Sequence, residues 1–84
     1  MRVHHIKTHP EPFSAILDGD KNFEFRKNDR DYTEADLVVL LEYCPHDNEY
    51  TGRQIQARVG YVLTGPEFGV PLGYCVFSLL HVRK

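Results

Sequence analysis

Eighty-four residues make one domain with a modest core and leave no room for a second. The hydrophobic share of 42% and the charged share of 26% are those of an ordinary globular chain. A formal charge of −2 excludes a protein that coats nucleic acid through bulk positive charge, so any nucleic-acid role has to rest on a local patch.

No apolar run approaches the roughly 18–20 residues that span a bilayer, so no membrane association is expected. The N-terminal MRVHHIKTHPEP lacks the apolar stretch of a secretory signal. A cytoplasmic protein is the expectation. Cys44 and Cys75 are the only cysteines, far apart in sequence and set in apolar contexts. They read as two free thiols that pack as small hydrophobes.

The elements follow in chain order. Arg2–Lys7 reads as a short strand with Val3 and Ile6 as its apolar residues. Thr8-His9-Pro10-Glu11 then resembles a helix start, with Thr8 as cap, Glu11 three residues on and Pro10 in the first turn. Phe13, Ile16 and Leu17 fall on one helical face, and Gly19 ends the helix in a left-handed conformation. After Gly19 the period changes to two. Phe23 and Phe25 share one face, while Asn22, Glu24, Arg26 and Asn28 share the other. The phenylalanines are expected in the core, where burying each is worth about 1.5–3 kcal/mol. Alternation then delivers Glu24 and Arg26 together to the opposite face, about 6.5–7 Å apart.

Leu37–Leu41 is a continuous apolar run of strand length, fit for a strand buried on both faces. Pro45–Glu49 has turn chemistry. Between Arg53 and Leu63 alternation returns, with Ile55, Ala57, Val59, Tyr61 and Leu63 on one side. Gly65–Gly73 is an irregular loop that could close over a site through Phe68, and Tyr74–Val82 is a last apolar strand. The order β-α-β-β-β-β predicts a mostly β, α+β domain. One helix cannot cover both faces of five strands, so the sheet is expected to curl into a small, mainly antiparallel barrel with the helix at one end or side.

Lys21, Glu24, Arg26, Lys27, Asn28 and Arg30 crowd basic and amide donors around one strand and its following turn. Such a row suits phosphate, carboxylate or base edges, and it equally suits a solvated strand face. Arg26 offers a planar fork for phosphate or base, Lys21 a mobile point charge, and Glu24 an acceptor that orients Arg26 or takes a base amino group. The histidines and cysteines lack the spacing of a metal site, and no phosphate-binding glycine loop occurs, so neither metal nor cofactor is expected. Tyr43 and Tyr50 flank the Pro45–Glu49 turn, where aromatics pack or stack bases.

Residues 19–26, GDKNFEFR, match G-x-K-x-x-E-x-R, the signature of the ASCH domain family. The surrounding text PEPFSAILDGDKNFEFRKNDRDY, then LLEY, EYTGR and FGVPLGYCVFSL, resembles a small ASCH-like branch of unknown function across nearly the whole chain. The resemblance implies a barrel similar to the PUA domain, an RNA-binding module. It implies a cleft for RNA or an RNA-derived nucleotide beside Lys21, Glu24 and Arg26, with Gly19 as the hinge. It adds His4 as a residue bordering that cleft, and Glu42 and Tyr43 as recurrent positions of second rank. Some ASCH-fold relatives are hydrolases of an acetylated cytidine nucleoside or of RNA. The amidohydrolases carry a threonine nucleophile where this chain has Glu24, so a binding module is preferred to an enzyme. The hydrolase alternative would work through Lys21 and Glu24. A protein-interaction module is the third reading.

Overall fold

A computed structural model describes residues 1–84. The elements are β1 (Val3–Thr8), α1 (Pro10–Leu17), β2 (Phe23–Lys27), β3 (Leu37–Cys44), β4 (Glu49–Thr64), a short 3-10 turn (Glu67–Gly69) and β5 (Tyr74–Arg83). One mixed sheet takes the order β1-β3-β4-β5-β2 and curls into a half-barrel around the core. β1 runs parallel to β3, and every other pairing is antiparallel. The expected mostly β, α+β class with one short helix is observed. The parallel pair needs a long crossover, and residues 9–36 supply it by carrying α1 and β2. β2 is thereby thrown to the far edge, beside β5, and the curl brings it back opposite β1.

Ile6, Val38, Leu40, Ile55, Ala57, Val59, Cys75, Phe77 and Leu79 fill the concave face, and Phe13 and Ile16 of α1 close it. Val39 is buried too, so the apolar run of β3 reflects burial on both faces. Pro10 occupies the first helical position, where its missing N–H goes unneeded. Gly19, at φ +81°, turns the chain out of α1 as expected. Thr8 is not the cap. His9 takes that position with no side-chain bond, because Thr8 still belongs to β1 and points inward at 4% exposure.

Two face assignments change. In β4 a bulge between Val59 and Val62 shifts the alternation, so Tyr61 is exposed and Val62 packs on the core. Gly60 permits it, since a Cβ there would lie 2.1 Å from Ser78 Oγ. In β2 the alternation is as expected but its phase is inverted: Phe23 and Phe25 are 48% and 53% exposed and Glu24 is 5% exposed. The register with β5 sets this phase, pairing Glu24 with buried Phe77 and Arg26 with buried Cys75. Both cysteines are free thiols; Cys75 is buried and its thiol is pushed up by desolvation, while Cys44 is half-buried.

A buried polar staple holds the start of β1 to the start of β3. Asp36 Oδ1 receives the Arg2 amide at 3.0 Å, while Oδ2 receives the Thr33 amide at 3.1 Å and lies 2.8 Å from His4 Nε2. Burial opposes ionisation of Asp36, but the hydrogen bonds from His4, Arg2 and Thr33 outweigh it and lower its pKa from 3.8 to about 2. A carboxyl whose folded pKa lies below its unfolded value adds stability that is present above pH 3.8 and lost as pH falls toward about 2. Asp36→Ala is therefore expected to cost about 2–3 kcal/mol in urea unfolding at pH 7 and to flatten the acid limb of stability over that window.

Candidate binding cleft

β1 and β2 are the two sheet edges, and no backbone ladder joins them. The Arg26 guanidinium spans the seam instead, reaching the Lys7 carbonyl at 3.4 Å from both terminal nitrogens. Where the edges diverge, they frame a cleft of about 480 Å³ lined by twelve residues. That volume falls within the roughly 300–1,000 Å³ typical of small-ligand sites. β1 contributes Lys7 and Thr8, the start of α1 contributes His9 and Pro12, and β2 contributes Glu24 through Lys27. Asp29, Arg30 and Tyr32 follow β2, and Tyr74 opens β5.

Four cations, Lys7, Arg26, Lys27 and Arg30, line the cleft against two carboxylates, Glu24 and Asp29. In a chain of net charge −2 this is the local positive patch that composition alone could not reveal. Phe25 and Tyr74 form an aromatic wall, their rings edge to face at 5.8 Å. Tyr32 is buried at the base, 4.8 Å from the His4 ring and 4.9 Å from Phe77. Burial raises the Tyr32 pKa against the opposing pull of Arg26 and Arg30, so the phenol keeps its proton at neutral pH.

Glu24 is the unusual member. Its Oε2 receives the Lys21 ammonium at 3.1 Å, while Oε1 is buried and accepts no hydrogen bond. Arg26 stands 3.7 Å from Oε1, near enough for attraction and too far for a hydrogen bond. Thr8 Oγ1, also buried, has no partner. Both residues line the cleft. Buried polar groups are nearly always satisfied in folded proteins, so two orphans on residues of one cleft set it apart from the rest of the surface.

Of the expected site residues, Glu24, Arg26, Lys27 and Arg30 meet in the cleft. Lys21 does not line it. Its ammonium is held by the Phe23 carbonyl at 2.7 Å and by Glu24, and it lies 5.0 Å from the Phe23 ring centre. Its part is to fix the carboxylate from behind. Asn28 is occupied in the turn, its Oδ1 accepting the Tyr32 amide at 3.2 Å. The expectation that His4 borders the cleft is not met: its ring is buried against Asp36 and reaches the cleft only through Tyr32. Glu42 is buried under a two-pronged Arg53 contact at 2.8 and 3.0 Å, with Thr51 Oγ1 donating at 2.7 Å, and these bonds lower its pKa. Arg53 also lies over the Phe13 ring, so this cluster clamps α1 to the β3–β4 hairpin. Tyr43 packs edge to face on Tyr50 at 5.0 Å beneath the Lys7 ammonium, outside the cleft lining. Phe68 is 91% exposed and makes no lid.

Lys7, Thr8, His9, Tyr32 and Tyr74 were not singled out from sequence. Thr8 carried a signal that pointed elsewhere, to a helix cap. Two outcomes test this geometry in urea unfolding. Lys21→Ala removes the hydrogen bond that the Glu24 carboxylate accepts, leaving only the more distant Arg26, and is expected to cost about 2 kcal/mol. Phe23→Ser is expected to cost under about 1 kcal/mol, well below the loss of a core phenylalanine.

Residues 3–79 match the family model described as "Domain of unknown function (DUF3850)". A phage relative, the "Uncharacterized 12.9 kDa protein in GpA 3'region" of Escherichia phage P2, is 38% identical over 58 residues. That alignment covers 69% of this chain and 51% of the relative, so the chain spans about half the length of the curated relative it matches. With the family model covering nearly all of its length, the chain belongs to the DUF3850 family.

Proposed function

We propose that the cleft between β1 and β2 binds single-stranded RNA or a nucleotide derived from RNA. The observation that carries this reading is the convergence of Lys7, Arg26, Lys27 and Arg30 with an aromatic wall around two unpartnered buried polar atoms. Cations suit phosphate, aromatic faces suit bases, and buried acceptors suit base edges. Base edges are accessible in single strands and occupied in duplex, which favours the unpaired form. The likeness of residues 19–26 to the ASCH signature supports the same reading. The hydrolase alternative draws less support, because the Lys21 ammonium is turned to Glu24 and the Phe23 carbonyl and stands outside the cleft lining.

Few phosphate contacts imply a shallow salt dependence, with a slope of about −0.7 per contact for single strands. Fluorescence anisotropy with a labelled single-stranded oligoribonucleotide should show binding that its duplex form lacks. Arg26→Ala and the double variant Lys27→Ala/Arg30→Ala should each weaken it by about tenfold, and the double variant should also flatten the salt slope. Unchanged affinity in both variants at matched salt would overturn the proposal.

A further inference from the structure

The floor and rim of the cleft differ in kind. Lys7, Lys27 and Arg30 are exposed at the rim, whereas Thr8, Glu24 and Tyr32 are buried at the floor. Two oxygens of floor residues, Glu24 Oε1 and Thr8 Oγ1, are buried without a hydrogen-bond partner. Lys21 occupies Oε2, so the carboxylate acts as a single acceptor rather than a fork.

We propose that the cleft takes its ligand base-first and selects a base bearing an exocyclic amino group, as adenine and cytosine do. This inference rests on the nucleotide-binding reading of the same cleft. A phosphate does not lead, because an anion at the floor would meet the Glu24 carboxylate, whose neighbour Arg26 is already engaged by it and by the Lys7 carbonyl, while Lys7, Lys27 and Arg30 stay at the rim. A base entering first puts its N–H on Glu24 Oε1, its ring against the Phe25–Tyr74 wall and its phosphate among Lys27 and Arg30. Cytosine and adenine each place an amino donor beside a ring nitrogen acceptor. The amino group matches Oε1, and the ring nitrogen matches a proton from the Thr8 hydroxyl. Uracil's N–H lies between two carbonyl oxygens that a carboxylate repels. Guanine's two adjacent donors match both oxygens of a carboxylate, and here Lys21 competes for one of them.

Titration calorimetry of the wild-type chain decides the matter with five probes at fixed salt: the 5′-monophosphates of cytidine, adenosine, uridine and N4,N4-dimethylcytidine, and ribose 5-phosphate. Cytidine and adenosine monophosphates should bind about tenfold or more tighter than the other three. Glu24→Gln should erase the preference over uridine monophosphate, whereas Lys27→Ala should weaken all four nucleotides alike. Equal binding of uridine monophosphate, or ribose 5-phosphate binding as tightly as cytidine monophosphate, would overturn this inference and leave nucleotide binding standing. If neither the nucleotides nor a single-stranded oligoribonucleotide binds, both readings fall. The wild-type panel needs no variant, so a substitution that fails to fold does not blunt the test.

Discussion

The Lys21–Glu24 ion pair is the contact on which the site depends. Taking a carboxylate out of water costs several kcal/mol, and β2 does so on the concave face of the sheet. Lys21 makes this tolerable by reaching over the start of the strand to one carboxylate oxygen. The rest of β2 follows from that choice. With Glu24 and Arg26 turned inward, Phe23 and Phe25 must turn outward, where Phe25 finds Tyr74 and Phe23 finds the Lys21 ammonium. The second carboxylate oxygen is left buried and free, beside a cleft that holds another unsatisfied group.

The half-barrel supplies that cleft. A closed barrel would have joined β1 to β2 through backbone bonds and left no opening. Here the hydrogen bonds between the two edges come from the Arg26 side chain on the Lys7 carbonyl. Arg26 therefore has two neighbours of opposite consequence: the seam it spans and the carboxylate it stands beside without bonding. Opposite this seam, the Asp36 staple and the Glu42–Arg53 clamp fix β1 and α1 to β3, so the walls of the cleft are held by buried charge as well as by packing.

Much of the fold was legible in the sequence because it rests on local periodicity. The turn at Gly19, the apolar run at 37–41 and the alternation of β2 each specify an element without reference to distant parts. Which face of β2 is inward was not legible. Alternation determines only that Glu24 and Phe25 oppose each other; the phase comes from the register with β5, a contact across some fifty residues. Hydrophobicity argued for Phe23 and Phe25 inside, and the register with β5 places Glu24 and Arg26 there instead. The same limit hid Thr8, Tyr32 and Tyr74, which reach the cleft only once β1, β5 and the segment after β2 are brought together. Glu42 and His4 carry chemistry suited to a site, but their partners Arg53 and Asp36 absorb it into the scaffold.

The central claim is that Glu24 is an inward-facing carboxylate with one oxygen kept for a ligand. A crystal structure of the chain with cytidine 5′-monophosphate tests it most directly. The account predicts the base amino nitrogen at hydrogen-bond distance from Glu24 Oε1, with Lys21 still on Oε2 and the phosphate at Lys27 and Arg30. A Glu24 side chain turned to solvent with Phe23 and Phe25 in the core, or a phosphate seated on the cleft floor, would contradict it.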